Sequence, residues 1–301
     1  MNKRVLVRDG FNADDNIYYR SIKKLRKTIP EWEFDIFFNN IDDMGIRDKD
    51  QDNDQVLLTR QQNWIRLEIL GEPQCKLYSW AIPDERSLNI LSRFGPLIEI
   101  GAGKGYWSRL LKDRGVDIIA FDKYVYSDRS LRFDALKHNF EMISLLSHVK
   151  LWTNIYKGGP SVLKRTCINK YKNVGRNLFL CYPDEGEEMS ALCLNFFQGD
   201  VIIHVGELIS TGTLSGYPQA PFGRTTSSEF NVLLCESFHC ILSASIPRFP
   251  FSNDCITVWK RTKMVEGRYD NNSDDKNYWA DIPKNERLSN DIAAPCCSEL
   301  L

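Results

Sequence analysis

At 301 residues with a formal net charge of −1, the chain has room for one large or two small domains and no global pull toward nucleic acid or an anionic membrane. Its 43% hydrophobic and 26% charged residues are ordinary for a globular protein, and no run approaches the ~20 apolar residues of a membrane span. The nine cysteines are odd in number and lack a C-x-x-C pair, which argues against a disulfide framework or a zinc site, so no metal is expected. The first residues lack the apolar core of a signal peptide, and a cytoplasmic location is expected, with the nucleus left open.

In chain order, residues 14–29 predict a helix with Ile17, Ile22, Leu25 and Ile29 on a rough stripe, ended by Pro30. Its basic residues Lys23, Lys24, Arg26 and Lys27 read first as a solvated face. The acidic run at 48–54 opens like a calcium loop, but Asn53 and Thr59 stand where Gly and Glu are needed, so it reads as a polar loop. A helical pattern covers 55–70. Pro83 suits the first turn of another helix reaching about Phe94, with Asp84 and Glu85 at its positive end.

The apolar run Leu97, Ile98, Glu99, Ile100 then predicts a buried strand. Gly101, Gly103 and Gly105, with Ala102 among them, crowd one turn where a backbone without Cβ atoms admits a close ligand. The next helix places Tyr106, Trp107, Leu110 and Leu111 on one face and stops near Gly115. A second strand over 116–121 finishes on Asp122, followed by Lys123. This βαβ unit carries an acid where a ribose would be held.

Beyond it, a helix is expected at 130–146, a third strand at 149–155, a turn at 158–160 and a short helix near 161–167. A fourth strand at 177–184 runs into Cys181, Tyr182, Pro183 and Asp184. A helix over 186–197 and a fifth strand over 200–207 follow, with His204 read as a core histidine. The long loop over 207–224 is of a length that is usually functional or disordered. A short helix at 230–235 precedes two strands, 239–246 and 255–260. Residues 261–275 read as a charged linker, and the tail regains apolar residues. Cys296 and Cys297 lie near the end, but no C-a-a-X ending is present.

The motif Glu99-x-Gly101-x-Gly103-x-Gly105, with an acid closing the next strand, resembles motif I of the class I S-adenosylmethionine-dependent methyltransferases. It is most similar to the methyltransferase-like proteins whose motif I reads as an EIGAGxGYW run. The rival dinucleotide fingerprint G-x-G-x-x-G would require glycine at position 106, which is Tyr. The resemblance covers about residues 75–262. It implies an α/β fold with a seven-stranded, mostly parallel, doubly wound sheet, a C-terminal antiparallel hairpin and an N-terminal helical extension. The chain then divides into an extension (1–74), a methyltransferase-like domain (75–262) and a linker with a C-terminal tail (263–301).

The same resemblance implies S-adenosylmethionine as cofactor. Asp122, with Lys123 after it, would meet the ribose hydroxyls. The backbone of Gly101, Ala102, Gly103 and Gly105 would lie beneath the ligand, and Glu99 would orient the turn or the amino group. Tyr78 and Trp80 would cover adenine or the methionine tail, or staple the helix to the sheet. Asn154 and Tyr156 are offered by the loop expected to reach adenine. Cys181 occupies the strand end beside the cofactor, and Tyr182, Pro183 and Asp184 would border the acceptor, with Asp184 the best available base. These last residues depart from the N/D-P-P-Y loop of motif IV, which disfavours amino-group methylation and favours a non-catalytic scaffold as the alternative; an NAD-dependent oxidoreductase, from the rival reading of the glycine turn, is the lesser one. The acceptor, whether small molecule, protein or RNA, is not fixed by the sequence, and no membrane partner is expected.

Overall fold

In this computed structural model, residues 16–28, 71, 73–124, 151–164, 175–183, 188–208, 225–249, 254–267, 277–281 and 283 are described. The acidic run at 48–54, the helices expected at 55–70 and 130–146, most of the 207–224 loop and Asp184 fall outside them.

Local sequence sets each element. Helix α1 (Ile17–Thr28) buries Tyr18, Ile22 and Leu25, while Ile17 is 48% exposed, so Tyr18 takes the inward place expected of Ile17. Helix α2 (Glu85–Arg93) starts on a reciprocal capping box: Ser87 N–H donates to the Asp84 carboxylate and Asp84 N–H to Ser87 Oγ. Such a cap is worth about 1 kcal/mol, and it places Pro83 just outside the helix instead of in its first turn. Strand β1 (Leu97–Ile100) is buried along its whole length because it has neighbours on both edges and helices over both faces. Helix α3 (Tyr106–Asp113) buries all four residues of the expected face, and Gly115 at φ +80° closes it. Strand β2 (Ile118–Asp122) follows.

The third strand is shorter and later than expected. β3 is only Tyr156–Lys157, and the short helix after it is a single 3₁₀ turn, Pro160–Leu163. Strand β4 (Asn177–Cys181), helix α4 (Met189–Phe196), strand β5 (Val201–Gly206) and helix α5 (Ser228–Ser237) continue the alternation. Strands β6 (Phe238–Ser245) and β7 (Cys255–Arg261) close the sheet as an antiparallel pair. Two further strands, β8 (Lys263–Gly267) and β9 (Asn277–Asp281), form a separate antiparallel ladder where a linker and tail were expected.

The main sheet has the order β3-β2-β1-β4-β5-β7-β6. Strands β1 to β5 pair in parallel, and β7 runs antiparallel to both β5 and β6. This is the seven-stranded, mostly parallel sheet with a closing antiparallel pair that was expected from the sequence. Alternating residues split the core into two halves. Leu97, Phe179, Ile203 and Val258 pack with α1, α2 and α3 on one face; Ile98, Leu178, Ile202 and Trp259 pack with the 3₁₀ turn, α4 and α5 on the other. Glu99 has the parity of Leu97 and so faces α3.

Candidate functional site

After β1 the chain builds outward to β2 and β3, then returns to place β4 and β5 on the other side. The strand order therefore reverses between β1 and β4, and ligands of open parallel sheets bind at the carboxyl ends of strands flanking such a reversal. A cavity of about 450 Å³ lies there, within the usual ~300–1,000 Å³ of small-molecule sites. From β1 and the turn after it come Glu99, Gly101, Ala102, Gly103 and Lys104; from the end of β4 come Cys181 and Tyr182. Cys75, Lys76, Tyr78, Ser79 and Trp80 close it from the segment ahead of α2, and Trp107 from α3.

The three glycines of the turn serve different needs. All have positive φ, at +79°, +55° and +79° for Gly101, Gly103 and Gly105, a region costly to residues with a Cβ. A Cβ on Gly101 would meet Met189 Cε at 2.9 Å, and one on Gly105 would meet Ile155 and Thr153 at 2.9 Å. Gly103 alone has open space where its Cβ would stand, and it is the glycine a ligand could lie against. Gly105 does not line the cavity; its bare backbone lets 153–155 pack onto the start of α3.

Charge is unusual here. Glu99 is 2% exposed, and its carboxylate accepts a hydrogen bond from Ser108 Oγ of α3. Burial raises its pKa to about 7, against the opposing pull of Ser108 and Lys112, while Asp122 adds a smaller push upward. Lys104 is buried with its ammonium donating to the carbonyl of Lys76, and burial lowers its pKa. The Cys181 thiol is pushed well up by burial and by Glu99 and Asp254, which keeps it a thiol and not a nucleophile.

Asp122 holds the turn from the next strand. Gly103 N–H donates to Oδ2 at 2.8 Å and Tyr124 N–H to Oδ1 at 2.7 Å. It borders the turn without lining the cavity. A carboxylate carries about four acceptor sites, the chemistry that ribose hydroxyls call for. Lys123 departs from expectation: it is exposed, and its ammonium lies over the Tyr124 ring at 5.1 Å, outside the cavity lining. Pro183 is buried but does not line the cavity, and Asn154 and Tyr156 are exposed and lie outside it.

Sequence reasoning placed Tyr78 and Trp80 in this wall and missed what fixes them. Tyr78 stacks between Tyr18 of α1 at 4.8 Å and Trp152 at 5.3 Å. Trp152 Nε1 donates to Leu77 O at 3.0 Å, and Trp107 Nε1 to Ser79 Oγ at 3.0 Å. Asn16, at the start of α1, donates to Pro83 O and accepts from the Tyr106 hydroxyl. Also missed were Cys75, Lys76, Ser79 and Lys104. Lys104 lies inside the glycine motif and was the one legible from the sequence. On the far side, Tyr182 has φ +52°, and its hydroxyl donates to Asp254 at 2.7 Å. Among the described residues no group of His, Cys, Asp and Glu is arranged to hold a metal ion, and no helix is long and apolar enough to cross a membrane.

No protein-family model and no curated protein sequence matches the chain. Among solved structures it is similar to one described as a fibrillarin/Nop5p complex, at 15% identity over 58% of this chain and 79% of that one, with a TM-score of 0.29. It is also similar to a point mutant of MtNAS, at 12% identity over 81% of this chain and 98% of that one, with a TM-score of 0.31. Overlaps this loose add no weight to the sheet order and the cavity.

Proposed function

We propose that the protein binds S-adenosylmethionine in the cavity between β1 and β4 and transfers its methyl group to an acceptor entering from the β4 side. The observation that carries this reading is the position of the cavity. It opens at the strand-order reversal, under a glycine turn whose middle member faces open space, with a buried carboxylate on its wall.

The residues fit such a ligand. Gly101, Ala102 and Gly103 supply a floor that a nucleoside can approach closely. Asp122 would accept from the ribose hydroxyls while keeping the turn in shape through Gly103. Glu99, poised near neutrality, would take the ammonium of the methionine tail, with Tyr78 as an apolar cover. When bound, S-adenosylmethionine supplies an electrophilic methyl for in-line displacement. The protein's share is positioning, an effect worth up to ~7–11 kcal/mol without any covalent help. Tyr182, Pro183 and Asp184 remain the proposed border of the acceptor, with Asp184 as the base where the acceptor has a proton to lose.

Thermal or chemical unfolding with and without S-adenosylmethionine tests the reading. A ligand at ~100 times its Kd should raise stability by about 2.7 kcal/mol. No shift with S-adenosylmethionine sinks the proposal, and a shift with NAD(H) alone would hand the site to an oxidoreductase. Binding without turnover across acceptor libraries would identify a scaffold.

A further inference from the structure

Trp80 and Tyr182 line the same cavity with ring planes 17° apart and centroids 6.5 Å apart. The packed pairs nearby sit closer, at 4.8 Å for Tyr18 with Tyr78 and 5.3 Å for Tyr78 with Trp152. A flat ring touching both neighbours needs about 7 Å between them, two carbon–carbon contacts of ~3.5 Å. Trp80 and Tyr182, near-parallel and wider apart at their centroids than the packed pairs, are the two rings on this wall that a flat ligand would have to part.

Tyr182 is also held at a cost. Its φ of +52° is in the left-handed region, where a non-glycine residue is strained. The ring is fixed at its far end by the hydroxyl's hydrogen bond to Asp254, a carboxylate only 2% exposed just ahead of β7. Ser79, next to Trp80, is fixed by Trp107 and the carbonyl of Ala81. Asp122 closes β2 and Tyr182 follows β4, with β1 between them. Two interstrand spacings, roughly 10 Å, separate the proposed ribose contact from the aromatic pair, so the pair meets a different part of the bound assembly.

We infer that Trp80 and Tyr182 form a clamp for the planar nitrogen heterocycle of the methyl acceptor, a nucleobase, with Lys76 on the same wall to meet its phosphate. This rests on the methyl-transfer reading and adds the acceptor's chemical class. The base can belong to a free nucleotide or to a single strand of RNA, since either offers a π-face to stack.

The full chain, saturated with S-adenosylhomocysteine to fill the cofactor end, is titrated with adenosine monophosphate, cytidine monophosphate, a ten-nucleotide single-stranded RNA and ribose 5-phosphate. Base-bearing probes should bind at least tenfold tighter than ribose 5-phosphate. Tighter binding of the RNA identifies a strand as the source, and equal binding identifies the free nucleotide. Tyr182→Leu and Tyr182→Phe both lose the tether to Asp254, but only the first loses the ring. The clamp requires Tyr182→Leu to weaken the base-bearing probes about tenfold more than Tyr182→Phe does. Trp80→Leu should behave like Tyr182→Leu, and Trp80→Phe should retain most of the affinity. Equal losses in Leu and Phe variants, or wild-type binding with no preference for a base, overturn the inference. Wild-type S-adenosylmethionine binding is measured alongside: its presence with no base preference removes the clamp alone, and its absence removes the methyl-transfer reading.

Discussion

Gly103 N–H donates to the Asp122 carboxylate at 2.8 Å, joining the middle of the glycine turn to the end of the neighbouring strand. That bond shapes the turn, and under the proposed function the same side chain would also meet the ligand. Asp122→Ala should remove most of the stabilisation by S-adenosylmethionine and lower the stability of the ligand-free protein by about 1–2 kcal/mol for the orphaned turn. Asp122→Asn, which keeps an acceptor for Gly103, should recover much of the second loss and little of the first. Urea unfolding of both variants, with and without ligand, reads the two losses separately.

Glu99 makes stability fall as pH rises. Its folded pKa is about 7 against an ordinary 4.5, so the folded state holds the proton longer than the unfolded state. Between those pH values unfolding releases a proton, and the ligand-free protein should lose up to about 3 kcal/mol from pH 4.5 to 7 on this account. Glu99→Gln should flatten that part of the profile. If Glu99 meets the ligand's ammonium, binding near pH 6 should expel a proton in the wild type and none in Glu99→Gln. Calorimetry in buffers of different ionisation enthalpy detects this.

His204 works in the opposite sense. It is wholly buried in β5, 3.4 Å from Thr225 Oγ1 and beside Phe230, and burial lowers its pKa to about 3. The unfolded chain takes up this proton first. Stability should fall as pH drops from 6.5 toward 3, by up to ~1.4 kcal/mol per pH unit. His204→Gln should be less steep over that range, and a profile as steep as the wild type's would assign the slope elsewhere.

Gly105→Ala and Gly103→Ala separate packing from strain. Both put a Cβ on a positive-φ residue, but only the first drives it against Ile155 and Thr153. Gly103→Ala should cost about 1 kcal/mol of stability and mainly impair ligand binding. Gly105→Ala should cost about 2 kcal/mol or more, because 153–155 must move. Melting temperatures and S-adenosylmethionine affinity, taken together, rank the pair.

The β1–α3–β2 unit was legible because its signals are local: an apolar run, a glycine turn, one helical face, a closing glycine. Residues 149–155 misled for a physical reason. Trp152 and Ile155 are apolar because they cover the glycine turn and Tyr78, with Trp152 N–H donating to Lys104 O, so burial there does not mean sheet pairing. Ile17 misled likewise, since the partners that draw Tyr18 inward, Tyr78 and Tyr106, lie far along the chain. The site was half visible. Its floor belongs to motif I, but Asp254 and the strained Tyr182 meet only across 72 positions of chain, and no spacing rule reaches that far.

The ring stack that joins Tyr18 to Tyr78 and Trp152 has a practical corollary. Helix α1 acts as a buttress for the cavity's roof, through that stack and through Asn16 bonded to both Pro83 O and Tyr106. Clipping the chain behind Asn16, or jostling α1 with a bulky fusion, would slacken a wall of the cavity in which the proposed ligand would lie. Such damage would surface as weakened affinity before any collapse of the sheet.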